Sequence, residues 1–105
     1  MITRDYLLKA MDRDKQIRIT IAHSTALVEE ARQRHNTSAT ASAALGRVLT
    51  AALIMGSDLK NEKDALTLRV NGNGIAGPIV ASVDSVGYGR AFISNPAASF
   101  QMYLW

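Results

Sequence analysis

A chain of 105 residues, 48% hydrophobic and 20% charged, has the composition of one globular domain with a real core, which excludes a disordered or fibrous protein. Twelve basic residues against nine acidic leave a formal charge of +3, but Arg4, Lys9, Arg13, Lys15 and Arg18 alternate with Asp5, Asp12 and Asp14, and Arg47, Arg69 and Arg90 stand isolated among apolar residues, the pattern of a solvated surface rather than a nucleic-acid-binding stripe. Cysteine is absent, so within this chain there is no disulfide, no thiolate metal site and no thiol nucleophile.

Tyr6 to Met11 is a short apolar run, and residues 16–22 alternate, with Ile17, Ile19 and Ile21 on one side and Arg18 and Thr20 on the other. Joined by a polar turn at 12–15, these predict a hairpin whose second strand has one dry and one wet face. Ser24 or Thr25 suits the cap of a helix over 26–35, in which Glu30 and Arg34 form an i,i+4 pair in the favourable order and His35 closes the last turn. Thr40 is the expected cap of a longer helix reaching about residue 59. Its stripe Ala41, Ala44, Leu45, Val48, Leu49, Ala52 and Leu53 keeps helical spacing. Gly46 inside that helix costs about 1 kcal/mol relative to Ala, which close packing against another element would offset. After a polar loop at 57–64, strands are expected at 65–70, 77–83 and 88–94. Leu66, Leu68 and Val70 share one face, as do Ile79, Ala81 and Val83. The long helix is the one large apolar element able to cover that face. The predicted fold is α+β: an antiparallel sheet, made of an N-terminal hairpin plus a three-stranded meander, packed against two helices.

Residues 72–77 read G-N-G-I-A-G, the spacing of a dinucleotide-binding loop, which works only where a helix begins behind it and turns its free N–H groups toward the pyrophosphate. Here Pro78 and the β-branched run from Ile79 follow, and no acidic residue stands at the ribose-binding distance, so the glycines read as turn chemistry. His23 and His35 lie twelve positions apart, without acidic or thiol partners at ligand spacing. There is no G-x-S-x-G elbow and no phosphate-binding loop ending in Lys-Ser or Lys-Thr. No catalytic, cofactor-binding or metal-ligating residue is therefore assigned, and the protein is expected not to be an enzyme. No apolar run reaches the roughly 18 residues of a membrane helix, and the N-terminus is too charged for a secretory signal. The expectation is a cytoplasmic protein with no membrane partner.

Three segments together carry a resemblance: HNTSATASAALGRVLTAALIMG at 35–56, LTLRVNGNGIAGPIV at 66–80 and GRAFISNP at 89–96, with DYLLKA at 5–10 and EEARQRH at 29–35 agreeing in order and spacing. The chain resembles the amino-terminal part of the 33 kDa heat-shock chaperone family. The resemblance implies a redox-regulated, ATP-independent holdase that binds unfolding client proteins under oxidative stress and dimerises through this domain. It also implies a carboxy-terminal zinc domain with C-x-C and C-x-x-C thiolates as sensor, for which this chain has no positions. Residues 1–96 are then a partial amino-terminal chaperone domain, and 97–105 an aberrant tail expected from a shifted frame or truncated gene. Client-binding residues are not assigned. Two alternatives stand beside this reading: a small basic nucleic-acid-binding module using Arg69, Arg90 and Tyr88, and an inert truncated product.

Overall fold

The computed structural model describes residues 4–99, so 100–105, most of the tail, lie outside the described residues. The first two strands, β1 (Tyr6–Met11) and β2 (Arg18–His23), pair antiparallel with Tyr6 opposite His23 and Met11 opposite Arg18. Asp12 makes the turn between them: its Oδ1 accepts the N–H groups of Gln16 at 2.6 Å and Ile17 at 2.8 Å, and Lys15 takes a left-handed φ of 60°. The helices α1 (Thr25–His35) and α2 (Ala39–Gly56) follow, then a meander of β3 (Ala65–Val70), β4 (Ile79–Asp84) and β5 (Gly89–Ile93). The α+β expectation holds, although the strands form two separate sheets, β1-β2 and β3-β4-β5, rather than one.

The core lies between α2 and the inner face of the three-stranded sheet. Leu45, Leu49, Ala52 and Leu53 of α2 meet Ile79, Ala81 and Val83 of β4 and Ala91 and Ile93 of β5, with Ala31 of α1 closing one side. Leu45, Leu49 and Val83 are the largest fully buried side chains, each stabilising the fold by about 1.5–3 kcal/mol. The small residues of α2 set the approach distances. A Cβ on Gly46 would sit 2.7 Å from Val28 Cγ1 of α1, and one on Gly56 would sit 2.4 Å from Val83 Cγ2. Close packing thus offsets the conformational cost of these glycines. By length and composition α2 is apolar enough to cross a membrane, but here its stripe is the floor of the core.

Several boundaries differ from the sequence expectation, each for a local reason. Ser38, not Thr40, caps α2: its Oγ accepts from Ala41 N at 3.1 Å while its own N–H bonds Pro96 O at 2.8 Å. The helix stops at Gly56 rather than 59, where Gly56 meets Val83 and Ser57 Oγ turns back onto Ile54 O. β2 begins at Arg18 because Asp12 draws Gln16 and Ile17 into the turn. Gly77 and Pro78 belong to the connection before β4, since Gly77 bonds Gly74 O and adopts φ +68°. The largest difference concerns the second strand. Ile17, Ile19 and Ile21, expected on a dry face, are 62%, 50% and 54% exposed, because α2 buries its stripe against β4 and β5 and the hairpin turns its other face, that of Thr20 and Ala22, toward the body.

The glycine-rich connection carries no helix. Asn73 N bonds Asn71 Oδ1, Asn73 is left-handed at φ 59°, and the loop is stitched to the end of β5 through Asn95 N to Ala76 O and Asn95 Nδ2 to Ile75 O. A Cβ on Gly77 would press to 3.0 Å of Ser94 Cβ. Within the loop the Asn73 and Gly77 N–H groups bond the loop's own carbonyl oxygens, and a strand rather than a helix follows, so no helix N-terminus stands behind 72–77 to cradle an anion.

Candidate functional site

The two histidines fall at opposite ends of α1, His23 on β2 and His35 in the helix's last turn. Among the described residues no three His, Cys, Asp or Glu side chains gather as a metal-binding group, and every buried side-chain nitrogen or oxygen has a hydrogen-bond partner. Polar chemistry is thus occupied internally. What the molecule leaves open is apolar area, and it is concentrated on the hairpin.

The register of β1 and β2 sorts its side chains onto two faces. Tyr6, Leu8 and Ala10 stand opposite His23, Ile21 and Ile19; Leu7, Lys9 and Met11 stand opposite Ala22, Thr20 and Arg18. The second face looks toward the body. Lys9 Nζ donates to Ser57 O at 2.6 Å and pairs with Asp58 at 3.2 Å, and Arg18 reaches the other Asp58 oxygen at 3.5 Å. The first face looks outward, with Tyr6, Leu8, Ile19 and Ile21 all at least half exposed and Ile17 beside them. Tyr6 stacks on His23 with ring centroids 5.1 Å apart. None of the hairpin's residues enters the buried core, and the molecule is elongated, 55 × 33 × 26 Å. Its radius of gyration of 15.6 Å exceeds the ~13 Å of a compact chain of this length.

The hairpin is held by one device that sequence reading missed. Ser24 occupies the cap position of α1, yet its hydroxyl bonds Thr50 Oγ1 of α2 at 2.7 Å and does not cap. Asp5, just ahead of β1, caps α1 instead: its two carboxylate oxygens accept from Ala26 N at 3.0 Å and Leu27 N at 2.8 Å. The same carboxylate lies 3.5 Å from His23 Nδ1. A negative charge there also complements the helix dipole. The only sequence signal was an acidic residue ahead of the first strand, with nothing to say which helix it would reach. Between hairpin and body lies a cleft of about 350 Å³, with Leu7, Ala22, Leu27, Leu53 and Tyr88 among its walls.

Elsewhere the expected Glu30–Arg34 pair forms, and a second one joins it. Glu30 and Arg34 meet at 2.7 Å along α1, and Arg32 Nε donates to Glu29 at 2.9 Å. That hydrogen bond, more than charge attraction, holds the Glu29 carboxyl below the usual carboxylate range and raises the Arg32 guanidinium.

A family model described as Hsp33 protein matches residues 5–103. The chain is similar to the 33 kDa chaperonin of Clostridium botulinum (strain Langeland), 46% identical over 98 residues that cover 93% of this chain and 33% of that relative. The 33 kDa chaperonin of Bacillus velezensis matches with the same identity and coverage. That of Oceanobacillus iheyensis is 46% identical over 99 residues, 94% of this chain and 34% of the relative. The chain thus spans about a third of the length of the curated relatives it matches. The matched stretch runs on past Pro96. Ala98 just beyond it is buried, its carbonyl accepting a hydrogen bond from the Ser38 hydroxyl.

Proposed function

The chain belongs to the Hsp33 family, and from that membership we propose that it acts as a molecular chaperone, an ATP-independent holdase that keeps unfolding proteins from aggregating. The observation that carries this reading is the outward face of the hairpin, where Tyr6, Leu8, Ile17, Ile19 and Ile21 are exposed together on a short two-stranded sheet. Scattered apolar residues are ordinary on any surface, but a contiguous patch marks an interaction site. An unfolding protein presents apolar side chains without regular shape. A flat patch recognises them by area alone, at about 25 cal/mol per Å² removed from water. Such binding needs no nucleotide and no bond-making group, which agrees with a non-enzymatic role. The same face is suited to a second copy of the chain, so self-association or a homodimer competes with client binding.

Redox control by zinc does not fit the residues given. The chain has no cysteine, and its two histidines sit on different elements; His23 has the Asp5 carboxylate beside it, but among the described residues no third ligand joins them. Thiol sensing, where a family member has it, belongs to sequence outside this third. In this reading these residues supply the apolar platform that holds clients, in the cytoplasm.

The test is light scattering of a heat-labile enzyme warmed with the 105-residue chain and no ATP. Suppression that rises with the molar ratio of chain to enzyme, unchanged by reductant, is expected. Scattering no lower than with an equal mass of an inert protein would contradict the proposal.

A further inference from the structure

We infer that the outer face of the β3-β4-β5 sheet is a binding surface for single-stranded RNA, a role that stands independently of the holdase reading. In the sequence Arg69 and Arg90 are twenty-one positions apart, named together in the nucleic-acid alternative but with no clustering to support it. The sheet brings them together. Its register aligns Arg69, Val80 and Phe92 in one row and Thr67, Ser82 and Arg90 in the next. All six project from the face opposite the one that packs on α2, since the alternate positions Ile79, Ala81 and Val83 are buried. The two arginines start from strands about 10 Å apart across β4, Arg69 level with Val80 and Arg90 with Ser82, two residues on, with Val80 and Phe92 as the apolar floor beside them.

Lys9, Arg18, Arg32 and Arg34 are each paired with a carboxylate, whereas among the described residues neither Arg69 nor Arg90 forms an ion pair. The acid on this face, Asp84, is committed to its own turn, where its Oδ1 accepts Val86 N and Tyr88 N, each at 3.0 Å. The positive charge of the face is therefore free to meet an anion. At the β5 edge a small cleft of about 160 Å³ takes in Glu30, Arg34 and His35 of α1 beside Arg90; Arg34 is already paired with Glu30 at 2.7 Å, so the free charge of the face stays on the sheet.

Charge alone would serve an acidic peptide as well as a nucleic acid. The aromatic groups favour RNA: Phe92 is 49% and Tyr88 78% exposed, on and beside the same face. Exposed rings next to guanidinium groups stack unpaired bases while the arginines take phosphates in bidentate geometry. The hydroxyls of Thr67 and Ser82 between them are of the kind that bonds a ribose 2′-OH. A duplex, whose bases are stacked inside, gains nothing from the rings.

The experiment is fluorescence anisotropy of a labelled twelve-nucleotide uridine-rich RNA titrated with the 105-residue chain. With two phosphate contacts, affinity should fall about sevenfold between 50 and 200 mM salt, from a slope of about −0.7 per contact. Arg69→Ala and Arg90→Ala should each roughly halve that slope, and Phe92→Leu should weaken binding at least about fivefold without changing it. Arg13→Ala, which removes the same charge from the distant hairpin turn, should leave binding unchanged. Circular dichroism confirms that each variant is folded. The inference is overturned if RNA does not bind, if Arg13→Ala weakens binding as much as the sheet arginines, or if polyglutamate competes equally and Phe92→Leu has no effect. The last result would mark the face as a site for acidic protein segments.

Discussion

The two sheets of this small protein are built from similar strands and meet opposite fates. In the three-stranded sheet, the alternate apolar residues of β4 are sealed under α2, and the outer face carries two arginines and two hydroxyls around Val80 and Phe92. In the hairpin, an equally regular row of β-branched residues is left in water. The difference lies in what the helix can cover. α2 is a helix of 18 residues with one apolar stripe, about 27 Å long at 1.5 Å per residue, and small residues draw it tightly onto β4 and β5. The hairpin is tied to the body largely by polar contacts, through Asp5 to α1, through Lys9 and Arg18 to Asp58 and through Ser24, just after β2, to Thr50 of α2. Stability is thus invested in one sheet, and exposed sticky area is retained on the other.

Removing core volume should produce the largest effect. Leu49, fully buried between α2 and the meander, cut to alanine should cost about 2–5 kcal/mol in urea unfolding. Ile19→Ala on the hairpin should cost far less, and equal losses would erase the contrast between the sheets. Next in size is the hairpin's anchor. Asp5→Asn keeps the shape but loses the charge that caps two α1 amides, for an expected loss of about 1 kcal/mol. Hydrogen exchange should speed up in β1, β2 and the first turn of α1 while β4 remains protected. Smaller still, Asp58→Ala should cost less than about 1 kcal/mol, since both its pairs are exposed and screened by salt. If raising salt does not shrink that loss, the ties are not electrostatic.

The smallest effect concerns pH. Glu29 titrates below its usual value because Arg32 donates a hydrogen bond to it. A carboxyl depressed in the folded state stabilises the fold above its unfolded pKa, and that contribution is lost as pH falls through the folded value. Helicity of α1 should therefore decline slightly more on acidification below pH 4.5 in the unmodified chain than in Arg32→Ala. The NMR titration of Glu29 checks the direction.

Much of this contrast was legible before any coordinates. Alternation at 65–70 and 79–83 identified a one-sided sheet, and the stripe of the long helix identified its cover. Pro78 and the valine-rich run behind the glycines marked a turn rather than a phosphate loop. The burial of Ile17, Ile19 and Ile21 was misread because a period of two reports that a strand has two different faces, not that a partner exists for the apolar one. Which acid would cap α1 was hidden for a related reason: Asp5 acts across 21 residues, and capping patterns look only at the adjacent ones. The clustering of Arg69 with Arg90 likewise arises from sheet register, which a linear count of charges does not contain.

The central claim is that the uncovered hairpin face, rather than the packed sheet, holds unfolding proteins. Ile19→Asp combined with Ile21→Asp alters two exposed positions, where substitutions move stability little. The direct measurement is aggregation of a heat-labile enzyme, followed by light scattering at fixed molar ratio with the unmodified and doubly substituted chains. The account predicts that the double variant keeps its urea midpoint and loses most of its protection. Protection equal to that of the unmodified chain would contradict it.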